Sequence, residues 1–343
     1  MHSPMRLLQP CPKRASDDIV RTAARMGTFV TIHVVGSNAA QKSGTESPML
    51  CEEAVERAFA WFDRVEECCT RFDPGSEVMR LAAQVGVPVP VSTLLYEAVQ
   101  FALAVAEESG GAFDPSVGYA METRGFNREY RSGREIRTVL DCGRAALDGG
   151  SPGSYRDVRL GRERKTITLL RPLIIDLGAV AKGLAVDLAA RELFACENFA
   201  INAGGDLYLG GRNPESEPWS IGIRHPRSDA ELVEVVHVSN RALCTSGDYE
   251  RRGADGGHHI LDPRTGASAN GVASVTVIAP TAMLADALAT AAFVLGPAEG
   301  IRLFDRLGVN GFIFSVPETS ADYVAGDSPA LTRFATQGMH DYL

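Results

Sequence analysis

Residues 281–296 read TAMLADALATAAFVLG. The run is long enough for several helical turns and apolar almost all round, which predicts a buried helix. It nonetheless carries a carboxylate, Asp286, and a hydroxyl, Thr290, four residues later. That spacing is about one turn, so both oxygens emerge on the same face. A lone carboxylate is costly to bury unless something pairs with it. Lysine is scarce, comprising only Lys13, Lys42, Lys165 and Lys182. Lys182 falls in a second Asp-bearing segment, IIDLGAVAKG at 174–183. A metal ion shared between the two segments would resolve the energetics of both. The plainer alternatives are a carboxylate bonded to backbone amides or to an arginine, and a threonine bonded back to a carbonyl of its own helix.

The rest of the composition narrows the class. The chain has 343 residues, enough for one large domain or two ordinary ones. A net charge of -9 excludes a generally basic, nucleic-acid-binding surface. The cysteines Cys11, Cys51, Cys68, Cys69, Cys142, Cys196 and Cys244 are odd in number and form no CxxC pair. This is neither a disulfide framework nor a zinc site, and it fits free thiols in a reducing compartment. The first twenty residues hold no apolar core of signal-peptide length, and no segment reaches the length of a membrane span. The expectation is a cytoplasmic protein with no membrane span and no nucleic-acid partner.

Periodicity predicts a polar, poorly ordered lead at 1–23, then one domain over 24–343. Within that domain a strand falls at 26–36 and a loop at 37–50. The helix that follows has Val55, Phe59, Phe62, Cys69 and Phe72 on one stripe. A second helix runs over 92–109, between Ser92 and the Gly110-Gly111 pair. Residues 120–155 give no clear pattern. A hairpin at 156–170 continues towards residue 174, and a helix covers 181–194. Strands are predicted at 198–211 (broken by Gly204-Gly205), 218–224, 231–238, 241–245, 257–261 and 272–279. A short helix near 298–307 and a strand at 310–316 close the chain. Strands dominate the second half with flanking helices, which is an α+β pattern with largely antiparallel or mixed pairing rather than a βαβ repeat.

Four segments concentrate reactive residue types. GGAFDPSVG (110–118) contains an Asp-Pro turn and paired glycines that permit close backbone approach. DLGAVAKG (176–183) joins a strand to a helix N-terminus, a ready anion site. Lys182 there opposes the helix dipole, so an anionic ligand or Asp176 must supply the reason for it. NAGGD (202–206) suits a bulge or backbone cradle, but it is not GxGxxG, and no Walker sequence occurs. In 245–266, TSGDYERRG…HHILDPRTG, the adjacent His258 and His259 would point to opposite faces of a strand, so at most one faces a site.

Together these motifs resemble the ApbE family of FAD:protein FMN transferases. The resemblance runs in order through Met26-Gly27-Thr28, TRFDPGSE, GGAFDPSVG, DLGAVAKGLAVD, NAGGDLYLGG, TSGDYERR, HHILDPRTG and ADALATAAFVLG, over about residues 24–316. It implies an ApbE-type α+β fold, FAD as substrate and Mg²⁺ as cofactor. By motif position it implies FAD contacts at Met26, Phe72, Ala112, Phe113, Asp114, Asp176, Lys182 and Ile260. Relatives often carry Tyr where Phe72 stands. Mg²⁺ is expected on the main-chain carbonyl of Ala179, the carboxylate of Asp286 and the hydroxyl of Thr290, an all-oxygen set. His259 matches the family's catalytic histidine. Either Asp248 or Asp114 is a candidate to orient it.

The implied reaction moves FMN from FAD to a Ser or Thr hydroxyl of an acceptor protein and releases AMP. Two alternatives remain open on the sequence: a Mg²⁺-dependent FAD pyrophosphatase, and a FAD-binding protein without turnover. Many relatives carry an export signal that is not visible here, which points to a cytoplasmic acceptor.

Overall fold

The structure, a computed structural model, describes residues 5–7, 18–36, 48–130, 132–138, 153–253, 256–316 and 331–343. In chain order its elements begin with β1 (Met5–Leu7), β2 (Ile19–Arg25), β3 (Thr28–Val34), α1 (Pro48–Cys69), α2 (Glu77–Ala82), β4 (Val89–Pro90) and α3 (Thr93–Glu108). Next come α4 (Gly118–Thr123), β5 (Val158–Gly161), β6 (Thr166–Leu169), α5 (Gly178–Leu193), β7 (Phe199–Ala203), β8 (Asp206–Gly210), β9 (Trp219–Arg224) and β10 (Leu232–Val238). The last are β11 (Arg241–Gly247), β12 (Val272–Ala279), α6 (Ala282–Leu295), α7 (Pro297–Leu307), β13 (Asn310–Ser315) and β14 (Thr332–Ala335).

An eight-stranded sheet in the order β14-β13-β12-β11-β8-β7-β3-β2 carries the molecule. Every neighbouring pair in it is antiparallel. β12 reads VASVTVIA and is buried at every residue, as a central strand covered on both faces must be. Helices α1, α5 and α6 pack on one face, around Phe62, Val186, Leu288 and Phe293. A three-stranded sheet, β1-β9-β10, covers the other around Leu207, Trp219, Ile221 and Phe312. The α+β expectation with antiparallel pairing therefore holds. A third small sheet, β4-β6-β5, lies apart from the large one.

Strand alternation decides what the helices see. On β8, Leu207 and Leu209 face the small sheet, so Asp206 and Tyr208 face the helices. Cys244 of β11 is paired in register with Asp206, and its Sγ reaches the Ala282 carbonyl of α6 at 3.5 Å. A buried aspartate is thus presented to the layer formed by α5 and α6.

Those two helices cross in very close contact. A Cβ added at Gly183 of α5 would lie 2.5 Å from both the backbone nitrogen and Cα of Met283 on α6. One turn on, Asp187 accepts hydrogen bonds from the amides of Ala282 (2.7 Å) and Met283 (3.0 Å). Thr281 accepts from Leu284 N (3.3 Å), so the N-terminus of α6 is capped from its own chain and from α5.

Several boundaries differ from the pattern-based reading. Two strands, β1 and β2, fall inside the stretch expected to be a polar lead. β2 is an edge strand with most residues at least partly exposed, so it shows no apolar alternation. Met26 and Gly27 are not in a strand. They form a two-residue hairpin turn between paired Arg25 and Thr28, with φ of 48° and 77°. The expected strand at 257–261 is replaced by isolated bridges, Arg252 with His258 and Leu261 with Ser268. Phe72 lies beyond the end of α1. The loop expected at 37–50 gives way to α1 from Pro48, and residues 37–47 lie outside the described ones.

Replacing Gly183 by alanine should force α5 and α6 apart. We expect a loss of about 1–3 kcal/mol, the range for overpacking a well-packed interior, measured by urea unfolding. Unchanged stability would mean that the crossing relaxes freely.

Candidate active site

At the junction of β8, α5 and α6, the Lys182 ammonium forms an ion pair with Asp206 and lies 3.3 Å from Asp286 Oδ2. Both aspartates are buried, at 3% and 5% exposure. Burial works to lower the Lys182 pKa, but the Asp206 and Asp286 carboxylates outweigh it and hold the ammonium above its ordinary value. Asp286 has the opposite problem. Burial, reinforced by the charge of Asp206, pushes it up to about 7 against the pull of Lys182. One ammonium does not satisfy two buried carboxylates. Thr290, one turn along α6 from Asp286, has its hydroxyl 3.5 Å from that of Ser246 on β11.

α5 does not start as a regular helix. Ala179 has φ −95° and ψ 19°. Relative to a helical ψ, this rotates its carbonyl by ~60° about the Cα–C bond. The turn before it is braced by Asp176, whose Oδ1 accepts from Gly178 N at 2.7 Å. Oδ2 of Asp176 accepts from Arg71 Nε at 2.6 Å. Burial would raise the Asp176 pKa, but the Arg71 guanidinium and the Gly178 amide hold it below the usual carboxylate value. The Asp176 amide donates to the Pro115 carbonyl at 2.7 Å, which ties this turn to the Asp-Pro turn at 114–115.

Around that turn Ala112, Phe113 and Asp114 are buried. Asp114 accepts from Ser116 N (2.8 Å) and Tyr155 N (3.1 Å), and burial raises its pKa. Met26, in the β2–β3 hairpin, donates its amide to Glu66 Oε2 at 3.3 Å. The Phe72 ring lies under the Arg71 guanidinium, 4.3 Å from its centroid. Ile260 is buried.

The two histidines part company. His258 is a packing residue. Its Nε2 donates to the Ala269 carbonyl at 2.7 Å, its Nδ1 accepts from Ile260 N at 3.3 Å, and its ring meets Phe293 edge-on. His259 instead has a buried Nδ1 with no hydrogen-bond partner, and its ring packs against Phe126 at 6.4 Å between centroids. Burial first, then the charge of Arg251, pushes its pKa down to about 3, so the ring is neutral throughout the physiological range. Neither expected orienting carboxylate reaches it. Asp248 is held by Arg227 through two bonds of 2.6 Å, and Asp114 is occupied by its two amides.

The model of the ApbE family matches residues 26–313. The chain belongs to the ApbE family. Among its relatives, the FAD:protein FMN transferase of Rhodobacter capsulatus is 32% identical over 330 residues. That match takes in 91% of this chain but only 60% of the relative's length. The FAD:protein FMN transferase of Treponema pallidum is 32% identical over 296 residues, 80% of each chain. Of solved structures, the flavin transferase ApbE from Vibrio cholerae superposes with a TM-score of 0.76 at 25% identity, covering 95% of this chain and 99% of that one. The ApbE protein from Thermotoga maritima gives 0.75 at 30% identity with the same coverage. Among the described residues, no helix of this ApbE-family chain is long and apolar enough to cross a membrane.

Pattern reading missed two residues of the site, Asp206 and Arg71. The signal for Asp206 was present in NAGGD: a carboxylate directly after two glycines, at the first position of a strand whose odd-numbered residues are apolar. Gly204 there approaches Thr28 so closely that a Cβ would lie 2.2 Å from the Thr28 hydroxyl oxygen. Arg71 had no periodic signal, because it lies past the end of α1.

The raised pKa of Asp286 has a signed consequence. The ordinary carboxylate value is about 3.9, so folding takes up a proton at Asp286 and stability falls as pH rises from roughly 4 to 7. In chelator-treated protein, Asp286→Asn should therefore raise the melting temperature at pH 8 by more than at pH 5. An equal shift at both pH values would show that Asp286 folds as an ordinary ionised partner of Lys182.

Proposed function

We propose that this chain transfers FMN from FAD to a Ser or Thr hydroxyl of an acceptor protein, in a Mg²⁺-dependent reaction that releases AMP. The observation that carries this reading is the buried Asp286, short of positive charge and one helical turn from the Thr290 hydroxyl. On α5, one turn before the Gly183 crossing, the Ala179 carbonyl is rotated away from the helical direction. Asp286, Thr290 and Ala179 would hold Mg²⁺, and the fit is chemical: all three donors are oxygens, as that ion requires. Among the described residues no three His, Cys, Asp or Glu side chains converge on one point, so the main-chain and hydroxyl oxygens are needed beside the one carboxylate. When bound, the ion supplies charge neutralisation at the diphosphate.

The other residues take roles that their environments support. Lys182, tethered by Asp206, offers a fixed positive charge to the FAD diphosphate. His259 takes the proton of the acceptor hydroxyl as its oxygen bonds to the phosphorus of the FMN half. The bond from that phosphorus to the bridging oxygen breaks, and AMP departs with the electron pair. A ring depressed to about 3 is a weak base in the empty site. Burial is the larger cause of that depression, and the arriving diphosphate would offset only the added charges of Arg251 and Lys182, raising the ring's basicity in part. Met26, Phe72, Ala112, Phe113, Asp114, Asp176 and Ile260 would line the flavin nucleotide. The thiols of Cys51, Cys68, Cys69 and Cys244 suit a reducing compartment, and with it a cytoplasmic acceptor.

The test is incubation with FAD and an acceptor carrying a candidate Thr, with and without Mg²⁺, reading acceptor mass and free AMP. Gain of one FMN on the acceptor with Mg²⁺-dependent AMP is expected, and Asp286→Ala should abolish both. Free FMN beside an unmodified acceptor would point to water as the nucleophile instead. AMP formation that survives in Asp286→Ala would remove the metal assignment.

His259→Ala should lower kcat by about 10²–10⁴, the usual worth of a positioned base, with the KM for FAD nearly unchanged. A change confined to KM would make His259 a wall of the site and not its base.

A further inference from the structure

We infer that Arg71 is a further FAD-binding residue, whose Nη1 donates to an uncharged acceptor atom, a carbonyl oxygen or ring nitrogen, on one of the planar rings of the dinucleotide. The inference rests on the flavin-transferase reading above and extends it to a residue outside the set drawn from the family motifs.

Arg71 is 4% exposed, unusual for an arginine at the end of a helix. Two of its nitrogens are occupied. Nε donates to Asp176 Oδ2, and Nη2 donates to the Phe126 carbonyl. Nη1 is buried and has no hydrogen-bond partner. A guanidinium has five N–H groups, and leaving a buried charged donor unpaired carries a heavier penalty than leaving a neutral one. Folding alone gives no reason to accept that cost, whereas a ligand that completes the set removes it.

The neighbours of Arg71 specify the kind of ligand. It touches Phe72 and Asp176 directly, and Phe126 connects it to the ring of His259. All of these lie in the candidate site. The second buried nitrogen without a partner there, His259 Nδ1, belongs to the ring on the far side of Phe126. The charge of Arg71 is already balanced by Asp176, so the remaining donor favours a neutral acceptor over a phosphate. The Phe72 ring lies against the guanidinium, which suits a planar heterocycle rather than a sugar or a diphosphate.

The experiment measures FAD affinity by flavin fluorescence, steady-state kinetics, and melting temperatures of the apoproteins, for the wild type, Arg71→Lys and Arg71→Gln. Lysine keeps the charge and glutamine keeps a planar donor, but neither can bridge Asp176, Phe126 and a ligand at once. We expect FAD affinity to fall at least tenfold in both, with the KM for FAD rising in parallel and kcat at saturating FAD staying within threefold. FAD should also raise the melting temperature of the variants less than that of the wild type. Wild-type affinity in either folded variant would overturn the inference while leaving the transferase reading intact. A fall in kcat and apoprotein stability with unchanged FAD affinity would assign Arg71 a purely structural role and overturn it as well. Failure of the wild type itself to bind FAD would overturn the underlying reading, and the inference with it.

Discussion

The position of Lys182 depends on a crossing distance. Its ammonium meets Asp206 from the sheet and Asp286 from α6 only because the next residue, Gly183, lets the two helix backbones come into contact. Asp187 then fastens the same crossing by accepting from the first two amides of α6. Three devices on a short stretch of α5 therefore act together: a charge, a missing side chain and a cap. Separating the helices by the width of one methyl group would carry Asp286 away from Lys182 and loosen the start of α6 at the same time.

This arrangement carries an electrostatic cost. Asp206 and Asp286 share one ammonium, Asp187 caps α6 nearby, and burial pushes Asp187 up to about 6 and Asp286 up to about 7. A core built only for stability would place apolar residues of similar volume here, since buried ion pairs rarely outperform them. Excess buried negative charge next to an ordered helix turn makes physical sense when positive charge arrives from outside. The cost is borne by the surrounding packing: β12 is buried along its whole length, and α6 has a predominantly apolar buried face. Rigid elements on both sides keep the polar atoms at fixed positions.

The parts of the molecule that were legible in the sequence are those governed by local chemistry. The run at 272–279, VASVTVIA, is rich in β-branched residues, and it forms β12 at those very residues. Ser92 caps α3 as its position before an apolar run suggested. Asp286 and Thr290 were visible because a carboxylate conflicts with an all-apolar helix. The parts that could not be read depend on distant partners. β14 and β2 are edge strands whose residues are largely exposed, so burial imposes no pattern on them. Residues 257–261 alternate plausibly but form only bridges, because their backbone hydrogen bonds go to nearby residues such as Arg251, Gly253 and Ala269. Asp176, a sequence neighbour of Lys182, was one candidate to explain it, beside an anionic ligand, yet Asp176 is bound by Arg71 and Lys182 by Asp206 and Asp286. Only the sheet register, with Asp206 opposite Cys244 and facing the helices, decides between them.

The same long-range logic explains why His259 stands alone. A catalytic imidazole is usually held by a carboxylate, and the sequence offered two candidates, Asp248 nearby and Asp114 far along the chain. Asp248 is committed to Arg227 by a bidentate pair, and Asp114 serves as the acceptor that closes its own turn onto Tyr155. His259 is positioned by packing against Phe126 and by the backbone bond from its amide to the Arg251 carbonyl. Without a carboxylate beside it, its basicity is lowered first by burial and then by the positive charge of Arg251. Under the proposed reaction, a bound diphosphate would offset the smaller contributions of Arg251 and Lys182 and leave the larger effect of burial in place.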